Sequence, residues 1–230
     1  MAGASKSRIC GITLAFAVAT TVSCASAQES NALTGQGEPP PAGFGTLGQD
    51  DIGVRLRTPE FVISIIPLDE GVIRLLAPDT YRSMNRLLES KAEDLADAAR
   101  RNGISTPSVF LVSFFGTQTR TRFEAEALTI TGQSRLFRPR AFLPMSPSFG
   151  DRQVNQRETA TAIFIYEDGL RLFDPFTIGY DGVSTNEWAR VLRTLDRERA
   201  AVIARAAAAR RDTTETTGAN VQQPRVSAST

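Results

Sequence analysis

Between Ile52 and Ala204 the chain alternates short apolar runs with turn residues, and two longer stretches carry a helical period. Phe61-Val62-Ile63-Ser64-Ile65-Ile66 is a β-branched run stopped by Pro67. Asp69-Glu70-Gly71 is a turn signal, and Val72 to Leu76 is a second apolar run before Pro78. The pattern predicts two short strands around a turn. From Asp79 to Asn102 the period changes: Tyr81, Met84, Leu88, Leu95 and Ala99 share one helical face. Asp79 suits the N-cap, and Gly103 follows where a left-handed stop sits.

Strand signals dominate the next stretch. Val109 to Phe115 is nearly all apolar and predicts a central strand buried on both faces. Arg122 to Ile130 alternates, with Phe123, Ala125 and Ala127 on one side. Arg135 to Arg138 follows a Gly-Gln turn, and Pro139 to Gly150 reads as a Pro-punctuated loop. Ala160–Tyr166 and Phe176–Tyr180 are two more strands, with Asp168-Gly169 and Asp181-Gly182 as turn tips. Ser184-Thr185-Asn186-Glu187 is a capping box ahead of Trp188, Val191, Leu192, Leu195, Val202 and Ile203. The fold expected is mainly β with flanking helices. It is an antiparallel β-sandwich with an inserted helix at about 79–102 and a C-terminal amphipathic helix at about 184–211.

The ends read differently. Lys6 and Arg8 precede an uncharged, mostly apolar stretch, Ile9 to Val22. Ala25-Ser26-Ala27 then fits the small-x-small cleavage rule, so 1–27 reads as a signal peptide cut between Ala27 and Gln28. Thr21-Val22-Ser23 before Cys24 also resembles a bacterial lipobox, so lipidation at Cys24 stays open. Both alternatives predict export to the periplasm or beyond, and no other stretch approaches the length of a membrane span. Residues 28–51, rich in Gly, Pro and Gln, predict a flexible tether. Residues 52–211 form the one domain expected, and 212–230, rich in Thr and Ser, a disordered tail.

Composition closes several chemistries. There is no His, which removes Ser-His-Asp and Cys-His catalysis and the commonest metal ligand. The two cysteines, Cys10 and Cys24, both lie near the N-terminus, so no metal site and no cofactor is expected in the domain. Lys6 and Lys91 are the only lysines. No catalytic residue is assigned. Cleavage after Ala27 leaves 24 basic against 25 acidic residues, a net of −1, which makes no case for nucleic acid.

Charge is uneven along the strands. Arg120 to Arg157 holds seven Arg and three acids, a net of +4, whereas Glu158 to Glu187 holds six acids and one Arg, a net of −5. The simplest use is pairing between neighbouring strands. The alternative keeps Arg135, Arg138, Arg140 and Arg152 exposed around the 139–150 loop, with Phe142, Met145 and Phe149 as apolar anchors. Guanidinium forks suit phosphate and carboxylate, so that surface would hold an anionic envelope component. A rival use of the acids is glycoside hydrolysis by paired carboxylates, with Glu158, Glu167 or Asp174 in an open cleft.

The order Val109–Phe115, Phe123–Ile130, Pro139–Gly150 and Glu158–Tyr166 resembles Ig-like β-sandwich domains of small exported bacterial proteins and lipoproteins. The resemblance covers about a third of the chain. It implies a binding or assembly module, with an envelope protein or anionic envelope component as partner. The helices at 79–102 and from Ser184 depart from that pattern.

Overall fold

A computed structural model describes residues 38–219 of the chain. Cys24, Ala27, Gln28 and the other residues of 1–37 and 220–230 lie outside the described residues. The fold is mixed α/β: antiparallel sheets carry a long internal helix and a long C-terminal helix. It forms no closed barrel.

The elements run in order as α1 (Gln49–Ile52), β1 (Val54–Arg57), β2 (Phe61–Pro67), α2 (Glu70–Ile73), α3 (Pro78–Arg101) and β3 (Ser108–Gly116). β4 (Thr121–Arg122), β5 (Thr129–Gly132), β6 (Arg135–Phe137), β7 (Pro139–Pro144), α4 (Pro147–Gly150) and β8 (Gln153–Val154) follow. β9 (Thr159–Tyr166), β10 (Phe176–Tyr180), β11 (Val183–Thr185) and α5 (Trp188–Ala219) complete the chain. One sheet has the order β1-β2-β3-β9-β7, the other β11-β10-β5-β6, and β4 pairs with β8. The chain changes sheets between β6 and β7, at buried Pro139, where the pairing with β9 carries a bulge.

The two large sheets share one apolar core. Phe114 sits at its centre. It stacks on Phe123 at 4.4 Å between ring centroids and meets Phe61, Phe164 and Tyr180. β3 alternates accordingly: Phe110, Val112 and Phe114 face this core. The expectation that β3 is buried on both faces holds for only part of its length. On its other face Val109 and Leu111 are half-buried, and Phe115 is 39% exposed. That face is covered near β7 and β9 by the end of α3, where Ala98, Ala99 and Ile104 pack on Ile165.

Both predicted helices are present, with adjusted ends. α3 starts one residue earlier than expected, with Pro78 at its first turn and Ala77 rather than Asp79 as N-cap. It stops at Gly103, whose φ is +65°. There Ile104 N donates to the Ala99 carbonyl and Gly103 N to the Arg100 carbonyl, a Schellman closure. α5 begins at Trp188, because Ser184 and Thr185 belong to β11; the Thr185 hydroxyl still accepts from Glu187 N at 3.2 Å. Trp188 stacks on Phe176 at 4.8 Å, and its Nε1 donates to the Leu172 carbonyl at 2.9 Å. Ile203, expected on the packing stripe, is 54% exposed. α5 also runs past 211 to Ala219, into residues expected to be tail.

Four further expectations are corrected. Val72 to Leu76 is not a strand: Asp69 Oδ1 accepts from Gly71 N at 2.8 Å and caps the short α2. A five-residue apolar run has no period of its own, so the cap decides. Arg122 to Ile130 is not continuous, since Ala125–Ala127 forms a 3-10 turn between β4 and β5. Phe123 and Ala125 are nonetheless buried. Pro139 to Gly150 is not a loop: it supplies the edge strand β7 and then α4. An edge tolerates proline, which has no N–H to donate. The described part of the tether, from Glu38, is docked: Pro40 and Gly45 are buried, Leu47 bridges to Leu76, and Phe44 packs on the core.

Candidate functional site

The seven residues expected to form one anion-binding surface are divided among different jobs. Arg135 on β6 pairs with Glu167 at 3.2 Å and lies 4.7 Å from the Phe137 ring centroid. Arg152 grips Glu126 through both terminal nitrogens, at 2.9 and 3.4 Å. It also covers the rings of Phe142 and Phe149, 5.0 Å from each centroid. Phe149 is buried, and Phe142 stands edge-on to Phe164 at 4.8 Å. Both phenylalanines therefore belong to the core margin, which corrects their expected role as exposed anchors. Pairing with β9 turns Phe142 inward. Arg138, Arg140 and Met145 remain exposed, and neither of these two guanidiniums has an acceptor among the described residues.

The acids of the stretch 155–182 are held locally. Glu158 accepts from Ser148 Oγ and from Asn155 N and Nδ2, at 2.9 and 3.0 Å for the latter two. The Ser148 and Asn155 bonds hold its carboxyl below the ordinary range. Asp168 accepts from Ser105 N and Thr106 N, the latter at 2.7 Å, and these bonds hold its carboxyl down too. Asp174 accepts from Gln133 Nε2 at 2.5 Å. Asp181 and Gly182, both with positive φ, make the two-residue turn between β10 and β11. The opposed charge blocks meet at Arg135–Glu167, one pair rather than a ladder. Among the described residues no group of three or more His, Cys, Asp or Glu is placed to hold a metal.

Among the described residues, three clefts bear on these groups. The first, about 430 Å³, lies between the loop 169–174 and the ends of β2 and β3. Its acids are Asp69 and Asp174. Burial pushes the Asp69 carboxyl above its ordinary value, against the lowering by N–H donors of Gly71 and Val72 and the charge of Arg199. Most polar side chains there are engaged: Ser108 Oγ donates to the Leu170 carbonyl and Thr106 Oγ1 bonds Asp168. Another, about 260 Å³, gathers Glu60, Glu124 and Asp181 near Tyr180. Burial, then the nearby acids, push that phenol up although Glu124 N donates to its oxygen at 3.1 Å.

The remaining cleft, about 420 Å³, lies at the seam where edge strands β1 and β11 run side by side without hydrogen bonds. Arg55, Arg57 and Ser64 line it from the five-stranded sheet, and Ser184, Glu187 and Arg190 from the other side. Val54 and Leu56 are buried while Arg55 and Arg57 are exposed, so the alternation of β1 turns both arginines outward. Arg55 is tied to Asp50 at 2.7 Å. The guanidiniums of Arg57 and Arg190 have no acceptor among the described residues. Sequence reasoning missed this group because β1 and β11 are more than 120 residues apart. The local signal was the Val-Arg-Leu-Arg alternation, which marks an edge strand with a charged face. Comparison of the chain with family models, with curated proteins and with solved structures finds no match.

Proposed function

We propose that the protein is an exported envelope protein that acts by non-enzymatic binding or assembly. Its domain then works as an Ig-like sandwich does, as a rigid platform for a partner surface. The N-terminal signal pattern, Lys6 to Ala27, supports export. One contrast supports binding. The acids a hydrolase would draw on, Glu158, Glu167 and Asp174, are each bonded to a neighbour. Arg57 and Arg190, in one cleft, by contrast have no acceptor among the described residues. Free guanidiniums suit recognition of carboxylate or phosphate. Crosslinking of the full chain in intact cells, followed by mass spectrometry of its partners and its N-terminus, tests this reading. A stoichiometric envelope component is expected together with an N-terminus at Gln28 or a lipidated Cys24. Recovery of the chain alone with Met1 intact would overturn it.

A second reading has one observation in its favour. Asp174 shares the 430 Å³ cleft with Asp69, a carboxyl that burial holds toward its protonated form. Two carboxyls in one cleft, one of them raised by burial, suit general acid-base work. That reading predicts release of reducing ends from envelope glycan, abolished by Asp69→Asn and by Asp174→Asn. Its absence in the wild-type chain would remove hydrolysis.

A further inference from the structure

Resting on the binding reading, we propose that the seam cleft between β1 and β11 is an oxyanion site. Its ligand carries a carboxylate or phosphate, borne on an acidic glycan or on a lipid headgroup. The cleft brings together Arg57, Arg190, Ser64 and Ser184, whose side chains have no hydrogen-bond or ion-pair partner among the described residues. Arg57 projects outward from β1, opposite Val62 in the register with β2. Arg190 stands in the first turn of α5, two residues after Trp188. Ser64 and Ser184 add hydroxyls that make no hydrogen bond with the described residues.

The charge of the cleft favours an anion. Asp50 is neutralised by Arg55 at 2.7 Å. Glu187 is the one further acid in the lining, against Arg57 and Arg190, so the uncommitted side chains sum to +1. The N-terminal end of α5 adds partial positive charge on the same side. The supports are rigid. β1 is paired to β2 over its whole length, and Trp188 is clamped by Phe176 and the Leu172 carbonyl. A volume of about 420 Å³ is in the range of small-ligand sites. Arg138 and Arg140 are equally free, but they line none of the three clefts, so a bound anion there stays more exposed to water.

The test uses the full chain with three probes: glucuronate, inorganic phosphate and vesicles containing phosphatidylglycerol. Calorimetry reads the soluble probes and sedimentation reads the vesicles. The variant R57Q/R190Q is compared with R138Q/R140Q, with melting temperature and Trp188 emission as folding checks. Binding in the wild type is expected to weaken about tenfold or more in R57Q/R190Q, by loss of two charge-assisted contacts. R138Q/R140Q is expected to stay within about twofold of wild type. If the double variant unfolds, R57Q and R190Q singly are each expected to lose about threefold or more. Preference for glucuronate assigns a glycan acid, and preference for phosphate and vesicles assigns a headgroup. Binding unchanged in R57Q/R190Q, or no probe bound by wild type, would overturn the site. Loss confined to R138Q/R140Q would overturn it too, yet leave the broader binding reading standing.

Discussion

The carboxylate of Asp168 accepts N–H groups from Ser105 and Thr106, 63 and 62 residues away, and so ties the end of β9 to the loop after α3. Those bonds favour the ionised form, which is why its protonation is depressed. A depressed acid contributes stability that is fully present above its ordinary value of 3.8 and is lost as pH falls through its folded value. Asp168→Asn should therefore lower the melting temperature at pH 7, and the gap to wild type should close as pH falls below about 3.8. Melting scans from pH 7 down to pH 2.5 read this directly. A gap independent of pH would mean that the side chain acts by shape alone. Arg152 makes a related point. Its sequence neighbourhood left both pairing and a free cation open, and it lies over two rings and grips Glu126.

At the scale of elements, the segment 38–51 shows the largest departure from expectation. Its Gly, Pro and Gln content suits a tether. Yet Gly45 lies so close to the backbone of Leu75 that a Cβ there would come within 2.3 Å of that residue's carbonyl carbon. Leu47 N donates to the Leu75 carbonyl at 3.2 Å, and Ala77 N donates to the Leu47 carbonyl at 2.9 Å. Thr46 reaches α5 through Glu198 at 2.8 and 2.9 Å. Glycine is thus present for close approach rather than for slack. Gly45→Ala should cost about 1–3 kcal/mol, since the nearest atoms are backbone and cannot swing aside. Urea denaturation of the two chains checks it: the midpoint should fall with little change in slope. An unchanged midpoint would show that the segment is detached.

At the scale of the molecule, aromatic packing joins the sheets. Phe61 and Phe114 come from one sheet, Tyr180 from the other, and Phe123 from the chain between β4 and the 3-10 turn. Phe114→Ala removes ring contacts in every direction and should cost about 3–5 kcal/mol, enough to threaten folding. Phe115→Ala, one residue on but on the open face, should stay within about 0.5–1 kcal/mol. Parallel denaturation of the two variants measures the difference. Equal losses would mean that both faces of β3 are buried, which the exposure of Phe115 contradicts. The same architecture creates the seam. Two edge strands from different sheets lie together unpaired, and their outward residues line a cleft neither builds alone.

Taken by itself, the sequence determined the features that local chemistry controls. The span and stop of α3 follow from its apolar period and Gly103. The turn after β10 follows from Asp181-Gly182, though not the strand β11 beyond it, and the strands β2, β3, β9 and β10 follow from runs of β-branched and aromatic residues. Absence of His likewise excluded whole classes of catalysis without coordinates. Tertiary structure decided everything that depends on partners distant along the chain. It turned 139–144 into an edge strand by pairing it with β9, and it docked 40–52 against Leu75 and Leu76. It also set which arginines are paired and which are free. Period and turn residues act within a few positions, whereas pairing, burial and ion partners are set by contacts up to 152 residues apart.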